Sequence, residues 1–310
     1  MRERWISVAD LTVNIAGVAF KNPVIAASGT FGFGREYNEI FDIKKLGGIS
    51  CKGMTLLEKT GNPPPRIAET PSGILNSIGL QNPGVEHFIK YDLPFLAKKD
   101  VVIIANTAGS TVEDYCKMAE RLSETDIHMV ELNISCPNVK EGGVAFGTSC
   151  ESAAGITKEV RKYCKKPLIV KLSPNVTNIG EIAQAVEAEG ADAVSLINTL
   201  TGMRIDIRSR RPILKNNIGG MSGPAVFPVA VRMVWEVSKR VKIPVIGMGG
   251  ISKWQDAVEM MLVGAAAVQV GTAMFHDAYA PVKIIEGLEK YLVDNKLESF
   301  SELTGKVQAW

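Results

Sequence analysis

Eight short apolar runs of strand length recur along this chain, at residues 24–29, 48–52, 101–106, 129–133, 168–172, 193–198, 245–248 and 267–270. Each is mostly apolar rather than alternating, which is the pattern of a strand buried on both faces, as in a parallel sheet covered by helices. Helical patterns lie between them. Ile179, Ile182, Ala183 and Val186 recur at i, i+3, i+4 and i+7, and Trp254, Val258, Met261 and Leu262 at i, i+4, i+7 and i+8, giving one apolar stripe per helix.

Punctuation supports the alternation. Ser110-x-x-Glu113, Asn178-x-x-Glu181 and Ser252-x-x-Gln255 have the capping-box spacing of helix starts. Gly190-Ala191-Asp192-Ala193-Val194 and Gly264-Ala265-Ala266-Ala267-Val268 share G-A-x-A-V, a helix-ending glycine that leads into a strand. Eight strands alternating with helices predict a closed (β/α)8 TIM barrel, with an open doubly wound sheet as the alternative. No linker-like composition interrupts residues 1–310, so one domain is expected. Residues 11–20 alternate around Ala16-Gly17 like a small N-terminal β-hairpin, a lid for the bottom of the barrel.

Spacing between the runs is uneven. Extra residues fall at roughly Thr55 to Asn82, Pro137 to Ser149 and Leu200 to Gly223, all rich in Gly, Pro, Asn and Ser. They are long βα-loop insertions on the C-terminal face, where barrel enzymes hold their sites, and they predict a covered pocket there.

Composition narrows the class of function. The balance of 35 basic against 33 acidic residues, with no long single-sign run, points away from nucleic acid and anionic membrane surfaces. The five cysteines are odd in number and form no C-x-x-C pair, so neither a disulfide framework nor a zinc or iron–sulfur site is indicated, and a reducing cytoplasm is expected. Residues 1–10 contain no apolar leader segment, and no run of 18 apolar residues occurs.

The strand ends converge on Ser28-Gly29, Lys52-Gly53, Asn106, Asn133, Cys136, Lys171, Asn198-Thr199, Gly249-Gly250 and Gly271-Thr272. Lysine is rarely buried without a partner. Lys52 and Lys171, on apolar strands, should therefore face an anion or an electron-rich ligand, or else a neighbouring carboxylate. Gly247-Met248-Gly249-Gly250-Ile251 ahead of Ser252, with Gly271-Thr272, supplies backbone N–H groups at the usual phosphate corner of a barrel. Histidines 87, 128 and 276 are far apart and none ends a strand run, so no metal or histidine acid–base centre is expected. Cys136, in Asn133-Ile134-Ser135-Cys136-Pro137-Asn138, is the proton-transfer candidate, with an unperturbed pKa of about 8.5; a small buried cysteine before a loop proline is the plain alternative.

These residues resemble the dihydroorotate dehydrogenases, from Asn22-Pro23 to the end of the chain. The likeness is carried by Ala27-Ser28-Gly29-Thr30, Asn62-Pro63-Pro64-Pro65-Arg66, Asn76-Ser77-Ile78-Gly79-Leu80-Gln81-Asn82, the Cys136 loop, Val170-Lys171-Leu172-Ser173-Pro174, Asn198-Thr199 and Gly249-Gly250-Ile251. The resemblance implies oxidation of dihydroorotate to orotate in pyrimidine (UMP) biosynthesis. Cys136 would take the C5 proton while hydride leaves C6 for FMN. It further implies that Lys52, Asn76, Ser77, Ile78, Gly79, Leu80, Asn133, Asn198 and Thr199 bind substrate. Ser28, Lys52, Gly53, Asn106, Asn133, Lys171, Ile197, Gly223, Gly249, Gly250, Gly271 and Thr272 would hold FMN, with the glycines from Gly223 onward near its phosphate. Lys171 would stabilise the reduced flavin.

A cysteine base, and about twenty residues before the first barrel strand, resemble the soluble class 1 enzymes. Phe31-Gly32-Phe33-Gly34, Leu196 to Met203 and Gly219 to Pro224 look like class 1B, the NAD-linked type. That subclass implies a homodimer of this chain joined to two electron-transfer subunits carrying FAD and a [2Fe–2S] cluster, a cytoplasmic heterotetramer. A fumarate-using class 1A enzyme, a dihydropyrimidine dehydrogenase-like subunit and a non-catalytic flavin-binding or phosphate-binding barrel are the alternatives.

Overall fold

The computed structural model of the protein describes residues 9–135 and 146–310. Its centre is a closed barrel of eight parallel strands: β1 Val24–Ala26, β2 Gly48–Ser50, β3 Val102–Thr107, β4 Met129–Asn133, β5 Leu168–Lys171, β6 Ala193–Leu196, β7 Val245–Met248 and β8 Ala267–Val270. They neighbour one another in chain order, and β8 pairs back onto β1 through Gln269 opposite Ile25. Closure excludes the open sheet.

Helices α1 Val112–Ser123, α2 Cys150–Tyr163, α3 Ile179–Ala188, α4 Phe227–Ser238, α5 Trp254–Leu262 and α6 Ala280–Asn295 cover the outside of the barrel. The first connection contains only short helical pieces, such as Arg35–Asn38, and the second a helical segment made of Val85–His87, the π-helical turn Phe88–Asp92 and Leu93–Leu96 in succession. Two of the three helix starts lie one residue beyond the expected box. Thr111 caps α1 by accepting from the Asp114 N–H at 3.1 Å. At α5 the Asp256 carboxylate accepts from the backbone of Ser252 and Lys253 at 2.8 and 3.1 Å. Asn178 caps α3 as expected. Gly190 and Gly264 end their helices with φ of 95° and 115°, values open chiefly to glycine.

The hairpin Val13–Ile15 with Val18–Phe20 closes the bottom of the barrel. Ile15 and Phe20 are fully buried against Ile25, Ile104, Met129, Ile169, Ala193 and Ala267. Gly48 makes room for this plug, since a Cβ there would lie 2.8 Å from the Phe20 ring.

At the opposite end, two of the long connections are more ordered than their composition suggests. Ile67–Thr70 and Gly73–Asn76, from the second connection, join Gly219–Ser222 and Leu200–Gly202, from the sixth, in a four-stranded antiparallel sheet. Asn76 stands opposite Gly220 in that sheet, so segments 144 residues apart meet over the barrel mouth. Ile205–Asp206 pairs with Arg211–Pro212 as a further small ribbon. Of the third insertion, residues 137–145 lie outside the described residues. Among the described residues no helix is long and apolar enough to cross a membrane.

Candidate active site

The parallel register sets inward-facing polar residues on adjacent strands side by side. Asn106 of β3 lies opposite Glu131 of β4, Asn133 of β4 opposite Lys171 of β5, and Lys171 opposite Ser195 of β6. Glu131 is fully buried in the barrel interior. Its Oε1 accepts from Ser195 Oγ at 2.7 Å and Gln269 Nε2 at 2.9 Å, and its Oε2 from Ser50 Oγ at 2.7 Å and Asn106 Nδ2 at 2.5 Å. All four lone-pair positions of the carboxylate are thereby used. Burial pushes its pKa up, but the positive charge of Lys171 and the donors on Ser50, Ser195 and Asn106 outweigh that and hold it below the usual glutamate value.

Lys171 is 5% exposed and donates to Ser28 Oγ at 3.3 Å. A carboxylate acts on this lysine from within the barrel, the second of the two alternatives posed for it, and the lysine also lines the cavity above. A second carboxamide group sits where β4 ends. Asn133 Oδ1 accepts from Ser135 N at 3.2 Å and Ser135 Oγ at 2.9 Å, while Asn198 Nδ2 donates to Ser135 Oγ at 2.8 Å. The buried Tyr115 hydroxyl donates to the Asn133 carbonyl at 2.8 Å. A backbone N–H can only donate, so the Ser135 amide fixes which end of Asn133 is oxygen and leaves its NH2 for the cavity.

Past β7 the chain turns through Gly249 and Gly250, with φ of 120° and 79°, before α5. A Cβ on Gly250 would lie 2.8 Å from the Gly223 carbonyl oxygen, so the two turns touch only because residue 250 is glycine. Thr272 Oγ1 donates to Ser222 Oγ at 2.8 Å and ties the β8 loop to the roof sheet. The result is a corner of backbone N–H groups and hydroxyls.

These parts enclose a cavity of about 440 Å³ over the C-terminal strand ends. Ser28, Lys52, Gly53, Asn76, Ile78, Gly79, Leu80, Asn106, Asn133, Lys171, Ile197, Asn198, Thr199, Gly223, Gly249, Gly250, Gly271 and Thr272 all line it. Ser77 does not; it is fully buried behind that wall, its hydroxyl with no partner among the described residues. Cys136 lies outside the described residues, which stop at Ser135 on the cavity side of β4. The other four cysteines are free thiols, and burial pushes the pKa of Cys51 far up and raises those of Cys116 and Cys164.

Sequence reasoning missed Glu131, Gln269, Ser50 and Ser195. The signal was present, because each is a polar side chain inside an apolar strand run, and the burial argument applied to Lys52 and Lys171 covers Glu131 equally. Arg66, Met221 and Ser222 also line the cavity, placed there by the unforeseen roof sheet.

Residues 10–292 match the family model described as dihydroorotate dehydrogenase. The chain belongs to the dihydroorotate dehydrogenase family. Similar proteins of that family include one from Petrotoga mobilis, 56% identical over 96% of this chain and 99% of its own length. Another, from Alkaliphilus oremlandii, is 55% identical over 96% of this chain and 99% of its own. A third, from Bacteroides thetaiotaomicron, is 54% identical over 97% of this chain and 100% of its own. All three are named dihydroorotate dehydrogenase B (NAD(+)), catalytic subunit. Matches of that extent span the barrel, the hairpin and both halves of the roof.

Proposed function

We propose that this chain, working over residues 1–310 as one FMN-binding barrel domain, is the catalytic subunit of a class 1B, NAD-linked dihydroorotate dehydrogenase, oxidising dihydroorotate to orotate in UMP biosynthesis. The observation that carries the reading is the cavity itself, with a cation, oriented carboxamides and a glycine corner on one barrel face. Near-full-length similarity to relatives carrying that name supports the NAD-linked type over a fumarate-using one.

The residues suit FMN. Its phosphate needs backbone N–H donors, which Gly223, Gly249, Gly250, Gly271 and Thr272 provide beside α5. Its ring needs a dry slot with a few polar groups, and the slot is lined by Ile197, Ser28, Gly53, Asn106, Asn133 and Lys171. When bound, FMN supplies the acceptor for the hydride leaving C6 of dihydroorotate. Cys136, three residues beyond Asn133, is the base that takes the C5 proton, a role within reach of a thiol near neutral pH. Lys52, Asn76 to Leu80, Asn133, Asn198 and Thr199 hold the substrate's carboxylate and ring, with Ser77 acting from behind the wall. Lys171 offers positive charge to the reduced flavin.

Electrons then leave through a partner carrying FAD and a [2Fe–2S] cluster, in a cytoplasmic heterotetramer of two catalytic and two electron-transfer chains. The purified protein is expected to be yellow and to bleach on anaerobic addition of dihydroorotate, with NAD reduction restored by the partner subunit. Bleaching by dihydrouracil alone, or rapid fumarate reduction by the isolated chain, would overturn the assignment.

A further inference from the structure

We propose that Glu131 is a positioning residue that sets the hydrogen-bond polarity of the cavity floor, turning Asn106 and Gln269 so that both present carbonyl oxygens to an N–H on the bound ring. The inference deepens the flavin reading above and rests on it.

Asn106 and Gln269 both line the cavity and are 0% and 1% exposed. A carboxamide could be placed either way round in such a site, but an ionised carboxylate only accepts. Glu131 therefore compels each amide to point its NH2 at the carboxylate. The opposite ends, Asn106 Oδ1 and Gln269 Oε1, are buried and have no hydrogen-bond partner among the described residues. An unmet buried acceptor forfeits the hydrogen bonds it would make to water and is destabilising. Two in one site, both held by the same carboxylate, mark the place of a missing donor. Gly53 belongs to the same arrangement, because a Cβ there would lie 2.9 Å from Asn106 Oδ1 and cover that oxygen.

The chemistry of the donor follows. Oxidised isoalloxazine carries a single ring N–H, at N3, between two carbonyls. Acceptors from Asn106 and Gln269 suit that N–H, and the Lys171 ammonium suits a neighbouring carbonyl. Asn133, fixed by Ser135 rather than by Glu131, offers its NH2 instead, so the floor has acceptors and donors at separate places.

Each carboxylate oxygen of Glu131 meets one serine and one carboxamide. In Glu131→Gln one oxygen becomes NH2, so one of the two carboxamides must turn its oxygen down and lose its cavity-facing acceptor. Binding of FMN and of N3-methyl-FMN to apoprotein, followed by quenching of flavin fluorescence, tests this without catalysis. The wild type is expected to bind FMN at least tenfold more tightly than the methylated flavin, and Glu131→Gln to discriminate threefold or less.

Equal discrimination by both proteins would overturn the proposal, since a methyl group that merely collides penalises either one; so would a wild type that binds the two flavins alike. Gln269→Met, which leaves Glu131 charged, is a second variant and should also weaken discrimination; unchanged discrimination there removes Gln269 from the arrangement. The flavin midpoint potential of Glu131→Gln should move to more positive values, because a negative charge beneath the reduced ring is gone. A wild type that binds FMN selectively yet is not bleached by dihydroorotate would defeat the functional reading while leaving this one intact.

Discussion

The two ends of the barrel interior are built from the same strands, two residues apart, and have opposite chemistry. Ile104, Met129, Ile169, Ala193 and Ala267 form the apolar layer against the hairpin. Asn106, Glu131, Lys171, Ser195 and Gln269 follow on the same inward faces and form the polar layer beneath the cavity. Side chains two apart on a strand point the same way, so each strand changes from packing to chemistry in a single step of its pleat. The lower layer is stable because it excludes water. The upper layer requires every polar group to be matched, and the two oxygens in it without a partner among the described residues belong to Asn106 and Gln269, which line the cavity.

Cys136→Ala makes the sharpest separation between these ends. Reduction of bound FMN by dihydroorotate should slow by roughly 10²–10⁴-fold, the usual worth of a positioned acid or base, while flavin affinity and unfolding midpoint stay unchanged. Stopped-flow absorbance reads the rate, and an unaltered rate would take the proton step away from Cys136.

Phe20→Ala acts on the other end. Removing this buried ring should cost ~3–5 kcal/mol in denaturant unfolding of the apoprotein, with FMN affinity of the folded fraction the same as wild type. A parallel fall in affinity would show that the plug and the floor are not separable.

Acid titration gives the smallest expected effect. The Glu131 pKa is held below its ordinary 4.5 in the folded protein. Its contribution is therefore fully present above that value and is lost as pH falls through the lower folded value. The stability gap between wild type and Glu131→Gln should narrow as pH drops below 4.5, whereas the gap between wild type and Phe20→Ala should stay constant. Parallel acid limbs for all three proteins would mean that Glu131 is not ionised in the fold.

The barrel was legible because its strands are short, apolar and repeated, and helix-ending glycines such as Gly190 and Gly264 mark the transitions. The roof was not. Gly219 and Gly220 read as loop, yet they pair with Gly202 and Asn76 respectively, and position 220 has room only for glycine, since a Cβ there would lie 2.0 Å from Thr199 Oγ1. No local pattern announces a partner 144 residues away. Lys52 and Lys171 were visible as exceptions to burial rules, and the glycines as a source of backbone N–H groups after strands seven and eight. Glu131 was overlooked because one acid among Met129, Val130 and Leu132 was averaged into an apolar run.

The roof sheet also sets an order for synthesis. While the chain is being made, strand Gly73–Asn76 has only Ile67–Thr70 beside it, and its other edge stays unpaired until Gly219–Ser222 has emerged. An open strand edge invites pairing with other chains. The segment that later covers the cavity is thus, for much of translation, a sticky edge, and the ribosome must deliver some 140 more residues before it is capped.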